Sequence, residues 1–212
     1  MSSGECEHHH KSWRKKLFKP KKLYAAIVSL CMMCGMIVMI LALLLRPKKP
    51  SFLLQDATVF AFAVSSTNLL NASFQVTLEA HNHNSRIEAY YEGFRVYAVY
   101  QNQQITFFTS IPPTYQGHKG DSVWSPFLYG FNVPIAPYNG AALAQIQSNG
   151  SISLAVKIDG QVRWKILSIT WGPYHIHVTC PAVINFGNNS NNGVFVDTFV
   201  KYQLSQSCSV SV

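Results

Sequence analysis

Two hydrophobic patterns divide this chain. From Leu23 to Leu45, 23 residues dominated by Leu, Ile, Val, Met and Ala run on without one charge. From residue 51 onward apolar and polar positions alternate instead. The first pattern predicts a helix of roughly 34 Å, enough to cross a hydrocarbon core of about 30 Å. A spanning helix satisfies all its own backbone groups, which is why lipid tolerates it. A buried helix of a globular core seldom runs this long without a charge. Pro47 and Pro50 stop the helix.

The alternating pattern predicts strands. Phe60, Phe62 and Val64 are expected to share one face. Phe74, Val76, Leu78 and Ala80 do the same, opposite Gln75, Thr77 and Glu79. Ile152, Leu154, Val156 and Ile158 alternate with polar residues up to Asp159-Gly160, and Val162, Trp164 and Ile166 alternate after it. Asp-Gly between two such runs predicts a two-residue hairpin turn. Phe94 to Tyr100, Ile105 to Thr109, and Ile176, Val178 and Cys180 read as further strands, and Ala141 to Gln147 carries the single helical signal. The expected fold is mainly β: an antiparallel β-sandwich of seven or more strands over residues 46–212, preceded by one transmembrane α-helix.

Charge gives the helix a direction. The formal net charge is +8, but residues 1–22 carry seven Lys/Arg against Glu5 and Glu7, whereas residues 47–212 carry nine against seven acids. The basicity belongs to the membrane flank, which excludes a nucleic-acid-binding face as its cause. Residues 1–22 are expected to form a disordered cytosolic tail near anionic headgroups, with the 46–212 domain on the other side of the membrane. A cleaved signal peptide would also start basic, but the apolar run is too long and no A-x-A-like site follows.

Topology assigns the cysteines and sequons. Cys31 and Cys34 form a C-x-x-C inside the span, where free thiols act as small hydrophobes; packing or palmitoylation is expected. Cys6 is open to acylation, and His8-His9-His10 has no fold to impose a metal geometry. Beyond the span only Cys180 and Cys208 occur. In an oxidising compartment a bridge is expected, worth roughly 3–4 kcal/mol on the loop-entropy argument, with two free thiols the alternative. Sequons at Asn71, Asn149 and Asn188 all follow the span and lie beside expected turns, as glycosylation would require.

No catalytic signature is present: no G-x-S-x-G, no phosphate-binding Gly loop and no H-E-x-x-H. No cofactor is implied, and the chain reads as a non-enzyme. His81 with His83, and His175 with His177, each project from the polar side of a strand. Metal binding would require the pairs to converge or a carboxylate to join them, so exposed strand histidines are the plainer reading. His118, in Gln116-Gly117-His118-Lys119-Gly120, reads as a loop residue. Tyr90, Tyr91, Phe94, Tyr97 and Tyr100 fall on both parities. Most are expected in the core, and any outward Tyr could serve a protein or glycan contact.

Several blocks carry a resemblance: Arg46-Pro47-Lys48-Lys49-Pro50-Ser51-Phe52 after the span, His81-Asn82-His83-Asn84-Ser85-Arg86-Ile87 before Tyr90-Tyr91, Tyr115-Gln116-Gly117-His118-Lys119, and Val162-Arg163-Trp164-Lys165. From about Lys11 to Cys208 the chain resembles the plant family of harpin-induced-like and non-race-specific-disease-resistance-like proteins. Their outer part is the late-embryogenesis-abundant group 2 domain, an immunoglobulin- or fibronectin-like sandwich. The family's Asn-Pro-Asn motif stands here as Asn82-His83-Asn84, a departure that bears on the rigid turn Pro would impose. The resemblance implies a glycosylated plasma-membrane protein linked to defence, senescence or stress, acting through a protein or cell-wall partner. The alternative it leaves is a structural protectant of the membrane or its wall contacts. Neither ligand nor oligomeric state is set by the sequence.

Overall fold

The structure, a computed structural model, describes residues 20–44, 47–185, 193–196 and 199–212. The tail residues Cys6 and His8 to His10, the end of the apolar run at Leu45-Arg46, and Asn188 with the Asn-rich loop around it lie outside the described residues. The chain divides into two units, at Arg46 and Pro47.

In the first unit, α1 (Pro20–Leu44) begins three residues before the apolar run. Pro20 sits in the first turn, where its missing N–H has no helical partner to lose. Lys21 and Lys22, expected in the tail, therefore belong to the helix. Side chains 21 to 40 are all exposed, and Lys21–Ile40 has a mean hydropathy of 2.4. A helix apolar on every side and uncovered by protein is long and apolar enough to cross a membrane. Cys31 and Cys34 are free thiols on its exposed surface.

The second unit is β1 (Ser51–Val64), β2 (Leu69–His81), β3 (Glu88–Tyr100), β4 (Gln103–Gln104), β5 (Thr109–Ser110), β6 (Thr114–Gln116), β7 (Asp121–Trp124), β8 (Phe127–Pro134), α2 (Pro137–Asn149), β9 (Ser151–Ile166), β10 (Ile169–Asn185), β11 (Gly193–Val196), β12 (Phe199–Ser207) and β13 (Ser209–Ser211). Among the described residues the strands form two antiparallel sheets. One runs β11-β12-β1-β2-β7, with β8 also on β2; the other runs β13-β10-β9-β3-β4, with β5 and β6 on β3. Side chains alternate between core and surface along β2 and β9, as a sheet with one buried face requires.

Three departures from the sequence reading share one cause, the parity of the strand. In β1 the register slips between Leu54 and Asp56 and again between Val59 and Ala61. Each bulge adds a residue and flips the buried set. Phe52, Leu54, Ala57, Val59 and Phe62 therefore point inward, and Phe60 is exposed, away from the face of Phe62. In β3 a bulge at Gly93, with φ +62, passes the buried set from Tyr91 to Phe94. The third departure is the Asp159-Gly160 hairpin, which does not exist: Ser151–Ile166 is one strand, and the chain reverses at Leu167-Ser168. A two-residue turn would pair residue 158 with 161 and move the buried set to odd positions. The buried positions stay even, through Val162, Trp164 and Ile166. The segment expected as a strand at Ile105 to Thr109 is irregular up to Phe108.

Aromatic rings lock the two sheets together. Phe52 and Trp124 come from one sheet, Tyr91 and Phe94 from the other. Phe52 stacks on Trp124 at 6.4 Å, and Tyr91 meets Trp124 edge-on at 5.8 Å. The chain passes from one sheet to the other at Cys208, between β12 and β13. There Cys208 N–H donates to the Phe52 carbonyl, 2.9 Å, while its sulfur bonds to Cys180 of β10. The disulfide thus joins the sheets at a crossing point.

Candidate functional site

The Asn82-His83-Asn84 motif forms a hydrogen-bonded knot where the chain enters the domain. Asn82 is wholly buried. Its Nδ2 donates to the carbonyls of Ile87 (2.8 Å) and Gly117 (3.1 Å), and its Oδ1 accepts from Asn84 N–H (3.1 Å). Asn84 exchanges two bonds with the backbone of Lys48, at 2.8 and 2.9 Å. The 116–120 turn closes the knot, because Gln116 Nε2 donates to the carbonyls of Ala80 and Gly120, and Lys119 N–H donates to the Asn84 carbonyl. Three of the sequence blocks, distant along the chain, meet here. The Asn82 side chain closes the turn that Pro would have imposed. His83 is exposed, with Nε2 2.9 Å from Ser51 Oγ. Buried and internally satisfied, the two asparagines shape the domain and present nothing to a ligand.

The histidine pairs stand on different sheets and do not converge. His81 Nδ1 lies 2.5 Å from Asp121 Oδ1, and His177 Nδ1 lies 2.6 Å from Asp159 Oδ1. Among the described residues no three His, Cys, Asp or Glu side chains gather as a metal site would need. His118 lies in its loop, 4.0 Å from Glu88.

His177 borders a polar hollow of ≈ 590 Å³ on the outer face of the seven-stranded sheet, lined by Gly93, Arg95, Asp159, Gly160, His175 and His177, among others. At Gly93, with φ +62, the position of a Cβ is open space. Asp159 anchors it, taking His177 on one oxygen and accepting from the Tyr97 hydroxyl on the other at 2.8 Å. Burial pushes the Asp159 carboxyl up, but the bonds from His177 and Tyr97 and the nearby positive charge outweigh it, leaving its pKa below the usual carboxylate range. Burial, followed by donation to that carboxylate, pushes the Tyr97 phenol up to about 12. The hollow offers hydrogen bonds, and its Asp159 carboxylate is already paired by His177 and Tyr97.

A second feature starts beside it. Arg95 lies over the ring of Phe108, which packs edge-on to Tyr97 at 4.9 Å. Phe107, the preceding residue, meets Tyr129 at 5.7 Å, and Phe127 meets Phe60 at 5.1 Å. These rings follow the β8 edge of the domain, and Phe131 extends them with 70% of its surface exposed. The sequence reading missed β8. Its Phe127-Leu128-Tyr129-Gly130-Phe131 run is apolar on both parities, so no alternation marks an outer face. The available signal was that an edge strand cannot bury both parities.

Of the sequons, Asn71 lies in β2 with its Oδ1 accepting the Asn132 N–H at 2.8 Å, and Asn149 ends α2. Of the aromatic group in β3, Tyr91, Phe94 and Tyr100 are buried; Tyr90 and Tyr97 are half-buried.

No family model matches the sequence. The chain is 48% identical to NDR1/HIN1-like protein 1 of Arabidopsis thaliana, over 98% of this chain and 99% of that protein. NDR1/HIN1-like protein 12 of the same plant is 47% identical over the full length of both. NDR1/HIN1-like protein 26, also from Arabidopsis thaliana, is 37% identical over 80% of each. A crystal structure of a protein from Archaeoglobus fulgidus covers 66% of this chain and 97% of its own at 6% identity and a TM-score of 0.33, too slight a likeness to argue from.

Proposed function

The chain belongs to the NDR1/HIN1-like family, and from that premise we propose that it is a single-pass plasma-membrane protein of plant defence or stress response that acts by binding, not catalysis. α1 anchors it, the basic flank stays in the cytosol and the β domain stands outside the cell. The charge asymmetry supports that direction. So does the Cys180–Cys208 bridge, since disulfides persist on the oxidising side. The observation that carries the binding reading is the row of exposed rings along β8. A domain with a complete aromatic core has no folding reason to leave Tyr129 and Phe131 outside, and contiguous exposed apolar surface marks interaction sites.

Topology is tested first, by glycosidase treatment and by protease added outside intact cells. A band shift and external cleavage of the β domain are expected; cleavage from the cytosolic side alone would reverse the orientation. Proximity labelling on the β domain then tests binding. A few saturable partners support it, whereas a diffuse set would favour the protectant role.

A further inference from the structure

We propose that the outer face of the six-stranded sheet, along Phe127, Tyr129 and Phe131, binds a neutral linear polysaccharide. This deepens the binding reading above and rests on it. Charge argues first. Residues 57–64, 69–76 and 127–134 form adjoining stretches of β1, β2 and β8, and none contains Lys, Arg, Asp, Glu or His. Across β1, Lys201 is held by Asp56 at 3.1 Å. An anionic polymer or lipid headgroup would need free cations here, and a protein interface usually carries a charged or polar rim.

Shape and chemistry argue next. Phe127, Tyr129 and Phe131 alternate outward along one strand, so their roots repeat at about 6.7 Å and the three rings span about 13 Å, room for a short run of sugar rings. Directly opposite them in β2, Gln75 faces Phe127 and Ser73 faces Tyr129. Rings interleaved with amides and a hydroxyl suit a polyol, whose C–H faces stack on aromatics while its hydroxyl rim needs hydrogen-bond partners. A sheet face is open and flat, which admits an extended chain better than a compact ligand.

The rings are also held in place before any ligand arrives. Gly130 lies so close to the Ile105 carbonyl that a Cβ would collide with it, which presses the backbone of β8 onto the 105–107 segment. Phe107 N–H donates to the Tyr129 carbonyl at 2.8 Å. Asn132, with φ +50, donates its N–H to Asn71. Preorganised rings avoid the ordering cost that weakens most exposed contacts.

The test uses the full chain in lipid nanodiscs, titrated with neutral β-glucan and galactomannan oligosaccharides. Polygalacturonate and phosphatidylcholine vesicles serve as comparators. Saturable binding to a neutral oligosaccharide is expected, weakened about tenfold by Tyr129→Ala or Phe131→Ala and retained by Phe131→Trp. These rings are exposed, so thermal midpoints should stay level, and His118→Ala, in the exposed 116–120 turn away from the rings, should leave the affinity unchanged. The proposal is overturned by no neutral binding, by equal binding in the ring variants, or by preference for polygalacturonate or vesicles. Two further results overturn it: binding that appears only in Asn71→Gln, since the chain's own glycan then covers the rings, and a dimer that the ring variants dissolve. Saturable protein partners without oligosaccharide binding would sink this proposal and leave the broader reading standing; losing both would sink the two together.

Discussion

The ring of Phe94 lies directly over Gly160, in the space where a Cβ would stand. The contact joins the bulge of β3 to the middle of β9 across the sheet they share. Gly160→Ala must therefore displace a ring that is 1% exposed and packed against Phe52, Tyr91 and Trp124. A loss of about 1–3 kcal/mol is expected in denaturant unfolding. Combined with Phe94→Leu, the loss should be less than additive, because the smaller side chain frees the space.

That contact also shows why the sequence misled at one place and informed at others. Asp159-Gly160 has the composition of a turn, but the glycine is required by a ring from another strand, which no local pattern reveals. The parity of Ile158, Val162 and Trp164 carried the correct answer. Strand β2 was legible from Phe74 to Ala80, which alternates without a bulge, but its start at Leu69 was not, and Asn71, expected beside a turn, lies within it. Strand β1 was not, because two bulges reset its parity and turned Phe60 outward. The β8 rings were hidden for a different reason: aromatic residues are usually interior, and composition alone cannot separate an edge strand from a central one.

The buried asparagine knot should be costly to open. Asn82→Ala strands the carbonyls of Ile87 and Gly117 and frees Asn84, whose own bonds hold Lys48. A loss of about 2–3 kcal/mol is expected by chemical denaturation. His83→Pro should instead be neutral or stabilising by up to about 1 kcal/mol, since the side chain is exposed and its neighbours already fix the turn. A large loss in His83→Pro would show that the turn here differs from a proline turn.

Reduction of Cys180–Cys208 is expected to weaken the domain at the crossing between its sheets. The bridge spans 28 residues of sequence, which corresponds to about 3–4 kcal/mol on the chain-entropy argument. Unfolding of the full chain in detergent, with and without reductant, measures it. Cys180→Ala/Cys208→Ala should match the reduced protein; no difference between oxidised and reduced forms would remove the bridge from the account.

The Tyr97–Asp159 pair predicts opposite behaviour at the two ends of the pH scale. Asp159 has a lowered folded pKa, so the stability it contributes is present above its unfolded pKa and is lost as pH falls through the folded one. Tyr97 has a raised folded pKa, so its contribution is complete below the unfolded value of about 10 and is lost as pH climbs toward about 12. Both side chains are only half-buried, so solvent screening should keep the effect of each on stability under about 1 kcal/mol. The sharper readout is spectroscopic. Tyrosinate absorbance should show a slow-titrating phenol near 12 that disappears in Tyr97→Phe. In Asp159→Asn that phenol should titrate earlier, because the carboxylate accepting its proton and repelling its anion is gone. His177→Ala should leave Tyr97 high, since Asp159 remains ionised beside it without the imidazole. An unmoved phenol in Asp159→Asn would mean that burial alone holds the proton, and the polar hollow would then have no electrostatic coupling between its two walls.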